Sequence, residues 1–417
     1  MATILAYTSP ALGHLLPMSA LLRELSARGH QIHLRTLSAG LATGRRMGFD
    51  TEAIDERTEA VVMDDWRAPN ARAALKISVD VFCRRAAHEV ADLQRAIARV
   101  NPDAVIVDVN CWGAQSVADA AGIPWLVFSP YTPFLRSRGV PPFGPGLRPL
   151  PGVLGRIRDG ALRPLVTGLL EKAMLPALNA VRADADAPQV KSADAFLRRA
   201  PLMLIATGQP FEYPHPDWGD SVALIGPCIT EPESDTAPDW LAAIDAPIVL
   251  VTTSSEPQAD TSLVSTALAA LADDPVHVVA TVPAGAPVSA PVPTNATVRG
   301  FVPHGPLLRR AVCAITHGGM GATQKALAHG VPVCAVPFGR DQLEVARRVQ
   351  VAHCGTRLPA KKLTRTRLRS KVHEAMTMTD GARAVAAGFT ATGGVSRGAD
   401  LIEQRIIASP TASPSPP

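Results

Sequence analysis

A histidine and an aspartate, far apart in the chain, stand at matching places in a repeated strand–loop–helix pattern. His14 lies in Ser9–Pro17 (SPALGHLLP), after the apolar run Thr3–Thr8 and before a helical run that starts at Leu15. That is the carboxyl edge of a strand, where open α/β sheets bind their ligands. A helix N-terminus behind an imidazole disfavours its protonated form, and a general base needs the neutral form. Gly13 beside it permits close approach. Asp108 follows the apolar run AVIV in the same way, and a carboxylate there is costly to bury unless paired. Across a sheet it could meet His14, orient the ring and support the charge that forms. Each residue taken alone is equally consistent with a helix cap.

A second constellation occupies Ile315–Ala346 (ITHGGMGATQKALAHGVPVCAVPFGRDQLEVA). An apolar strand runs into His317, Gly318, Gly319, Met320 and Gly321, and a helix is expected from about Ala322. Glycines there let backbone N–H groups approach an anion, and the helix dipole favours negative charge at that end. The pattern suits a diphosphate and contains neither GxGxxG nor a Walker lysine. Asp341 and Gln342 follow the next strand with polar groups suited to sugar hydroxyls. A glycine-rich turn accounts for the glycines but not for the ordered set.

The elements that must hold these residues alternate between apolar runs and helical stretches, the signature of a parallel sheet flanked by helices. Helices are expected over Leu15–Arg28, Val81–Val100 and Ala114–Ala121, with strands at Gln31–Thr36, Ala104–Val109 and Trp125–Ser129. Gly226–Asp239 (GPCITEPESDTAPD) is acidic and proline-bearing, as an interdomain linker would be. Beyond it the alternation restarts with Ile248–Thr252, Leu263–Leu271, Val276–Thr281, Ala311–Thr316, Ala322–His329 and Val333–Val336. The fold expected is α/β: two Rossmann-like domains with parallel sheets facing across a cleft. The boundaries are 1–225, a linker at 226–240, 241–407 with the last helix returning to the first domain, and a disordered tail at 408–417.

Composition narrows the function. With 417 residues, 47% hydrophobic and 19% charged, the chain has material for two sizeable cores. Its net charge of +4 is spread along the length and gives no reason to expect nucleic acid. Six cysteines lie far apart without a CxxC, so neither a disulfide frame nor a zinc site is indicated. No apolar run approaches the roughly 20 residues of a membrane span. A cytoplasmic protein is expected. Gly155–Arg182 is amphipathic and edged with arginines, which fits either a helix pair packed near the domain mouth or a weak peripheral membrane contact. Asp184-Ala185-Asp186 forms a DxD in a helical stretch and is read as a solvated face.

The block Ile315–Ala346 resembles the donor-binding signature of inverting nucleotide-sugar glycosyltransferases with two Rossmann-like domains, the GT-B fold of glycosyltransferase family 1. ALGHLLP, LIGPC, IVLVTTSSE and RGFVPHGPLL resemble further segments of that family, so the likeness spans most of the chain. It implies that His14 is the base and Asp108 its dyad partner. It implies diphosphate contacts at His317 and Gly319, donor-sugar contacts at Asp341 and Gln342, base contacts at Val302 and His304, and a phosphate loop at Ser254 and Ser255. The donor would be a UDP- or dTDP-sugar and the reaction inverting, with neither metal nor cofactor. One departure stands out. Where many members carry a glutamate for the ribose hydroxyls this chain has Lys325, and the asparagine usual after the Asp-Gln pair is Val345. A deoxyribose donor has one hydroxyl fewer to satisfy.

Trp66, Phe82, Trp112, Tyr131, Phe134 and Phe143 lie in or near loops of the first half and could line a cleft for a hydrophobic, ring-bearing alcohol or phenol. The Pro/Gly-rich stretch Pro130–Pro151 would be its gate. Two other readings remain open: a sugar-nucleotide epimerase on the same plan, against which ALGHLLP argues, and a non-catalytic nucleotide-sugar-binding partner of another transferase. A nicotinamide dehydrogenase is disfavoured by the missing GxGxxG.

Overall fold

Ala104–Asp108 and Trp125–Ser129 are buried at every position, as strands covered by helices on both faces must be. The computed structural model describes residues 1–230, 238–254, 258, 260–283 and 291–408. The first sheet contains β1 (Thr3–Tyr7), β2 (Gln31–Thr36), β3 (Asp50–Ala53), β4 (Ala104–Asp108), β5 (Trp125–Ser129), β6 (Met203–Ile205) and β7 (Val222–Leu224). Its order is β3-β2-β1-β4-β5-β6-β7, all parallel. The second contains β8 (Ile248–Thr252), β9 (His277–Thr281), β10 (Ala296–Arg299), β11 (Ala311–Thr316), β12 (Val333–Ala335) and β13 (Gly355–Arg357). Its order is β10-β9-β8-β11-β12-β13, again all parallel. Both expected Rossmann-like sheets are therefore present. Each order reverses once, between β1 and β4 and between β8 and β11, and such a reversal opens a crevice at the strands' carboxyl ends.

Strands β3, β6, β7, β10 and β13 were not expected from the sequence. They are short and lie towards the sheet edges, and stretches such as DTEA (β3) carry no apolar run to announce them. The helix expected at Val81–Val100 begins earlier, at Ala71, where the Asn70 side chain accepts from Ala73 N–H as its cap.

Gly155–Arg182 forms no helix pair. It lies within one helix, Gly152–Asp184, that continues through Pro164 and Pro176. Each proline removes one backbone donor. Packing offsets the loss, since Met174, Leu178 and Val181 are buried in the core against the helices Ala71–Val100 and Trp112–Ala120. Among the described residues no helix is long and apolar enough to cross a membrane. Its amino-terminal half leaves Val153, Leu154, Ile157 and Leu165 exposed. Asp184 and Asp186 are exposed at its end, in keeping with a solvated face.

Each sheet has apolar cores on both faces. The core beneath the first helix, Leu12–Ala27, takes Ala399, Leu401, Ile402 and Ile406 from the chain's C-terminal end. Arg28 fixes that return by donating to Asp400 at 2.6 Å and to Glu403 at 2.8 Å. The sheets are tied to one another through the helix Gln342–Val351. Its Arg348 pairs with Glu212 at 2.9 Å in a fully buried contact, and its Glu344 accepts from Gly144 N–H and Gly146 N–H, both at 2.8 Å.

Candidate active site

The loop after β1 and the end of β4 flank the first sheet's reversal, and they bring His14 and Asp108 together. His14 Nδ1 lies 2.8 Å from Asp108 Oδ2, with the side chains 16% and 0% exposed. Neither residue caps a helix: Ala11 is the N-cap of Leu12–Ala27, and Cys111 that of Trp112–Ala120. The second Asp108 oxygen accepts from Asn110 N–H at 2.8 Å. With both carboxylate oxygens accepting, the ring proton belongs on Nδ1 and the Nε2 lone pair is the basic site.

Two more side chains complete this corner. Tyr131 stands edge-on to the His14 ring, centroids 5.9 Å apart, and its hydroxyl donates to Asn110 Oδ1 at 2.7 Å. Asn110 Nδ2 lies 3.3 Å from His14 Nε2. Asn110 escaped the sequence reading, because an asparagine two residues beyond a strand-end aspartate is ordinary loop chemistry. Asp341 approaches from the second domain. Burial pushes its carboxyl up, while His14 and Arg340 oppose that shift. Burial likewise pushes the Tyr131 phenol up, with the Asp341 and Asp108 carboxylates adding to it. The catalytic-side and sugar-side residues thus share one electrostatic environment.

The second sheet's reversal holds the glycine cradle. β11 ends at Thr316, whose hydroxyl accepts from Gly318 N–H at 3.1 Å. Gly318 has φ +84°, and a Cβ on Gly319 would lie 2.2 Å from His317 Nε2. Only glycine fits between that ring and the start of the helix Met320–Ala328. The space around Gly321 is open, and Ala322 lies in the same first turn, where the backbone N–H groups have no intrahelical partner. His317 is 7% exposed, and burial pushes its imidazole down to about 4 against a bond to the Thr252 backbone. Its Nδ1 has no hydrogen-bond partner among the described residues. An anion at the helix start would satisfy that atom as the ring takes up a proton.

His304 and Lys325 are neighbours beside the cradle. His304 Nε2 lies 3.0 Å from Thr281 Oγ1, and burial and then the Lys325 charge push its ring down to about 4. Two donor expectations need correction. The Val302 side chain is buried in the core below the sheet, which leaves the backbone at that position as the group to meet a nucleotide base. Gln342 does not reach towards a sugar: its Oε1 accepts from Phe338 N–H at 2.8 Å and Gly339 N–H at 3.1 Å, and its Nε2 donates to Gln258. That side chain shapes the turn before Asp341 instead. Ser255 lies outside the described residues, as do 231–237 of the expected linker and 409–417 of the expected tail. Ser254 is held by its N–H to Asp260 Oδ2 at 2.7 Å and accepts from Gln258 Nε2 at 3.1 Å.

The aromatic residues divide. Trp112 is 2% exposed between Phe82, at 5.1 Å, and Phe196, at 6.4 Å, so it belongs to the core rather than to a cleft wall. Phe82 and Phe134 are partly buried against that same core. Trp66 is exposed under the Arg67 guanidinium, Phe143 is half-buried in its loop, and Tyr131 touches the His14 corner. The Pro130–Pro151 loop is docked on the second domain: besides the bonds to Glu344, Arg347 Nε donates to Gly146 O at 2.8 Å. A Cβ on Gly146 (φ +61°) would come within 2.3 Å of Leu343 O.

Comparison with known proteins bears on this geometry. Residues 265–394 match the family model of the erythromycin biosynthesis protein CIII-like C-terminal domain. The chain is 31% identical over 386 residues to 4'-demethylrebeccamycin synthase of Lentzea aerocolonigenes, covering 89% of this chain and 91% of the relative. It is 25% identical over 419 residues to demethyllactenocin mycarosyltransferase of Streptomyces fradiae, covering 97% and 86%. Among solved structures it resembles the glycosyltransferase of kitacinnamycin, with a TM-score of 0.74 at 23% identity over 97% of this chain and 99% of that one. It also resembles the glycosyltransferase VinC in complex with dTDP, with a TM-score of 0.70 at 18% identity over 98% and 100%. The chain belongs to the natural-product glycosyltransferases of family 1, with the GT-B fold.

Proposed function

We propose that the protein is an inverting glycosyltransferase that moves a hexose from a UDP- or dTDP-sugar to a hydroxyl of a hydrophobic natural product. The observation that carries this reading is the 2.8 Å contact of His14 with Asp108, facing Asp341 of the opposite domain. His14 Nε2 takes the proton of the acceptor hydroxyl as its oxygen attacks the anomeric carbon, and Asp108 stabilises the imidazolium. The nucleoside diphosphate departs from the opposite face, which inverts the anomeric centre. The backbone N–H groups at the start of Met320–Ala328, together with His317, meet its charge. The alternatives of an epimerase and of a non-catalytic partner draw no support from an intact dyad.

The relatives' names, a 4'-demethylrebeccamycin synthase and a mycarosyltransferase, support a natural-product acceptor. The dTDP bound in VinC supports a nucleoside-diphosphate donor. All six cysteines are free, which supports a cytoplasmic setting. The test is a transfer assay pairing UDP- and dTDP-sugars with a panel of aromatic and macrocyclic alcohols, read by mass spectrometry. Glycosylated product, lost on His14→Ala, is expected. Nucleotide binding without transfer to any acceptor or to water would favour the non-catalytic reading.

A further inference from the structure

Asn110 lies between His14 and Tyr131, and the hydrogen bonds around it fix which end of its amide faces which. Asp108 accepts on both oxygens, from His14 Nδ1 and from Asn110 N–H, so neutral His14 has its lone pair on Nε2. Asn110 Nδ2 is 3.3 Å from that atom, and Asn110 Oδ1 accepts from the Tyr131 hydroxyl at 2.7 Å. If the amide were turned round, its oxygen would face the lone pair. Tyr131 stays a phenol, and hence a donor, because burial and the nearby Asp341 and Asp108 carboxylates oppose its ionisation.

We infer that Asn110, held by Tyr131, is a positioning residue that keeps His14 in the tautomer of a base and occupies its Nε2 lone pair until an acceptor hydroxyl displaces the amide. At 3.3 Å the contact is long and readily exchanged, as a placeholder must be. The pair also opposes premature protonation. An imidazolium has N–H at both ring positions, so the amide would have to turn and give up its bond to Tyr131. Titratable groups that face His14 among the described residues include Asp108 from β4, Tyr131 beyond β5, and Asp341 from the second domain.

The inference rests on the reading of His14 as the base, but its test needs no substrate. Long-range 1H–15N spectra of the full-length protein report the tautomer and titration of each histidine, with His14 assigned by the signals missing from His14→Gln. The Nδ1–H tautomer is expected in the wild type. The His14 midpoint should rise by about half a unit to one unit in Asn110→Ala, by less in Tyr131→Phe and by more in Asn110→Asp, whose carboxylate favours the imidazolium. An Nε2–H tautomer, or midpoints unmoved in all three variants, would overturn the inference. Should Asn110→Ala fail to fold, Tyr131→Phe carries the same prediction. Transfer lost on His14→Ala with unmoved midpoints would leave the function standing and this inference refuted. Absence of any transfer, with midpoints that do move, would do the reverse.

Discussion

Arg340 reaches from the second domain to the first and donates to both oxygens of Asp65, through Nη2 at 2.7 Å and Nε at 3.1 Å. It does so from a left-handed backbone conformation, φ 53°, uncommon for a residue with a side chain. Asp65 also accepts from Ser78 Oγ at 3.3 Å. Arg340 immediately precedes Asp341, which faces His14, and Asp65 precedes the exposed Trp66. The bridge therefore ties an acceptor-side loop to a sugar-side residue.

Cutting that tie should loosen closure more than it lowers stability. A partly exposed pair of this kind contributes about 1 kcal/mol, or a few degrees of melting temperature in a chain of this size. For Asp65→Asn we expect KM to rise about fivefold to tenfold while the melting temperature changes little. Steady-state kinetics and scattering with and without nucleotide would check it. Unchanged KM and unchanged compaction would mean the bridge only decorates the cleft.

Replacing His14 by Ala, or Asp108 by Asn, should reduce turnover by about two to four orders of magnitude. Both residues belong to the first domain and the glycine cradle to the second, so the melting shift produced by UDP or dTDP should survive in both variants. Loss of nucleotide binding together with turnover would point to a misfolded crevice instead of a missing base.

Much of this was legible because parallel sheets write their central strands as apolar runs. β1, β4, β8 and β11 could be read from TILAYT, AVIVDV, IVLVT and AVCAIT, which put His14 and the His317 cradle at strand carboxyl ends, whereas the strand order and its two reversals are visible only in the fold. Edge strands such as Gly355–Arg357 left no such trace. Side-chain partners were the least legible. Nothing in FGRDQ says that Gln342 folds back on Phe338 N–H and Gly339 N–H while its neighbour Arg340 crosses to the other domain. Trp112 shows the same limit, since an aromatic residue after a strand end serves a cleft or a core equally well until its neighbours are known.

Lys325 gives a prediction on donor choice. It lies beside His304, and the family resemblance implies a glutamate for the ribose hydroxyls at its position. Lys325→Glu restores an acceptor, and the ratio of UDP to dTDP affinity, measured by calorimetry, should rise by about tenfold, the effect of one charge-assisted hydrogen bond. An unchanged ratio would remove Lys325 from nucleotide selection.

A last prediction concerns pH and two of the buried glutamates, Glu212 and Glu89. Burial opposes ionisation of Glu212, but Arg348 and His215 outweigh it and hold the carboxyl down to about 2. A depressed carboxylate stabilises the fold above its ordinary range, and that stability is lost as pH falls towards 2. Glu89 behaves oppositely. Burial pushes it up to about 8, despite the N–H groups of Gly113 and Ala114 that bond to it. Between its ordinary value of 4.5 and about 8 the folded state keeps a proton that the unfolded chain releases, so stability falls as pH rises through that window. Denaturant melts at a series of pH values separate the two. Glu89→Gln should flatten the decline towards alkaline pH and leave the acid limb in place. Arg348→Met should lower stability at neutral pH by about 3–5 kcal/mol, because it strands the Glu212 charge between the domains. An alkaline slope that persists in Glu89→Gln would place its origin in another group.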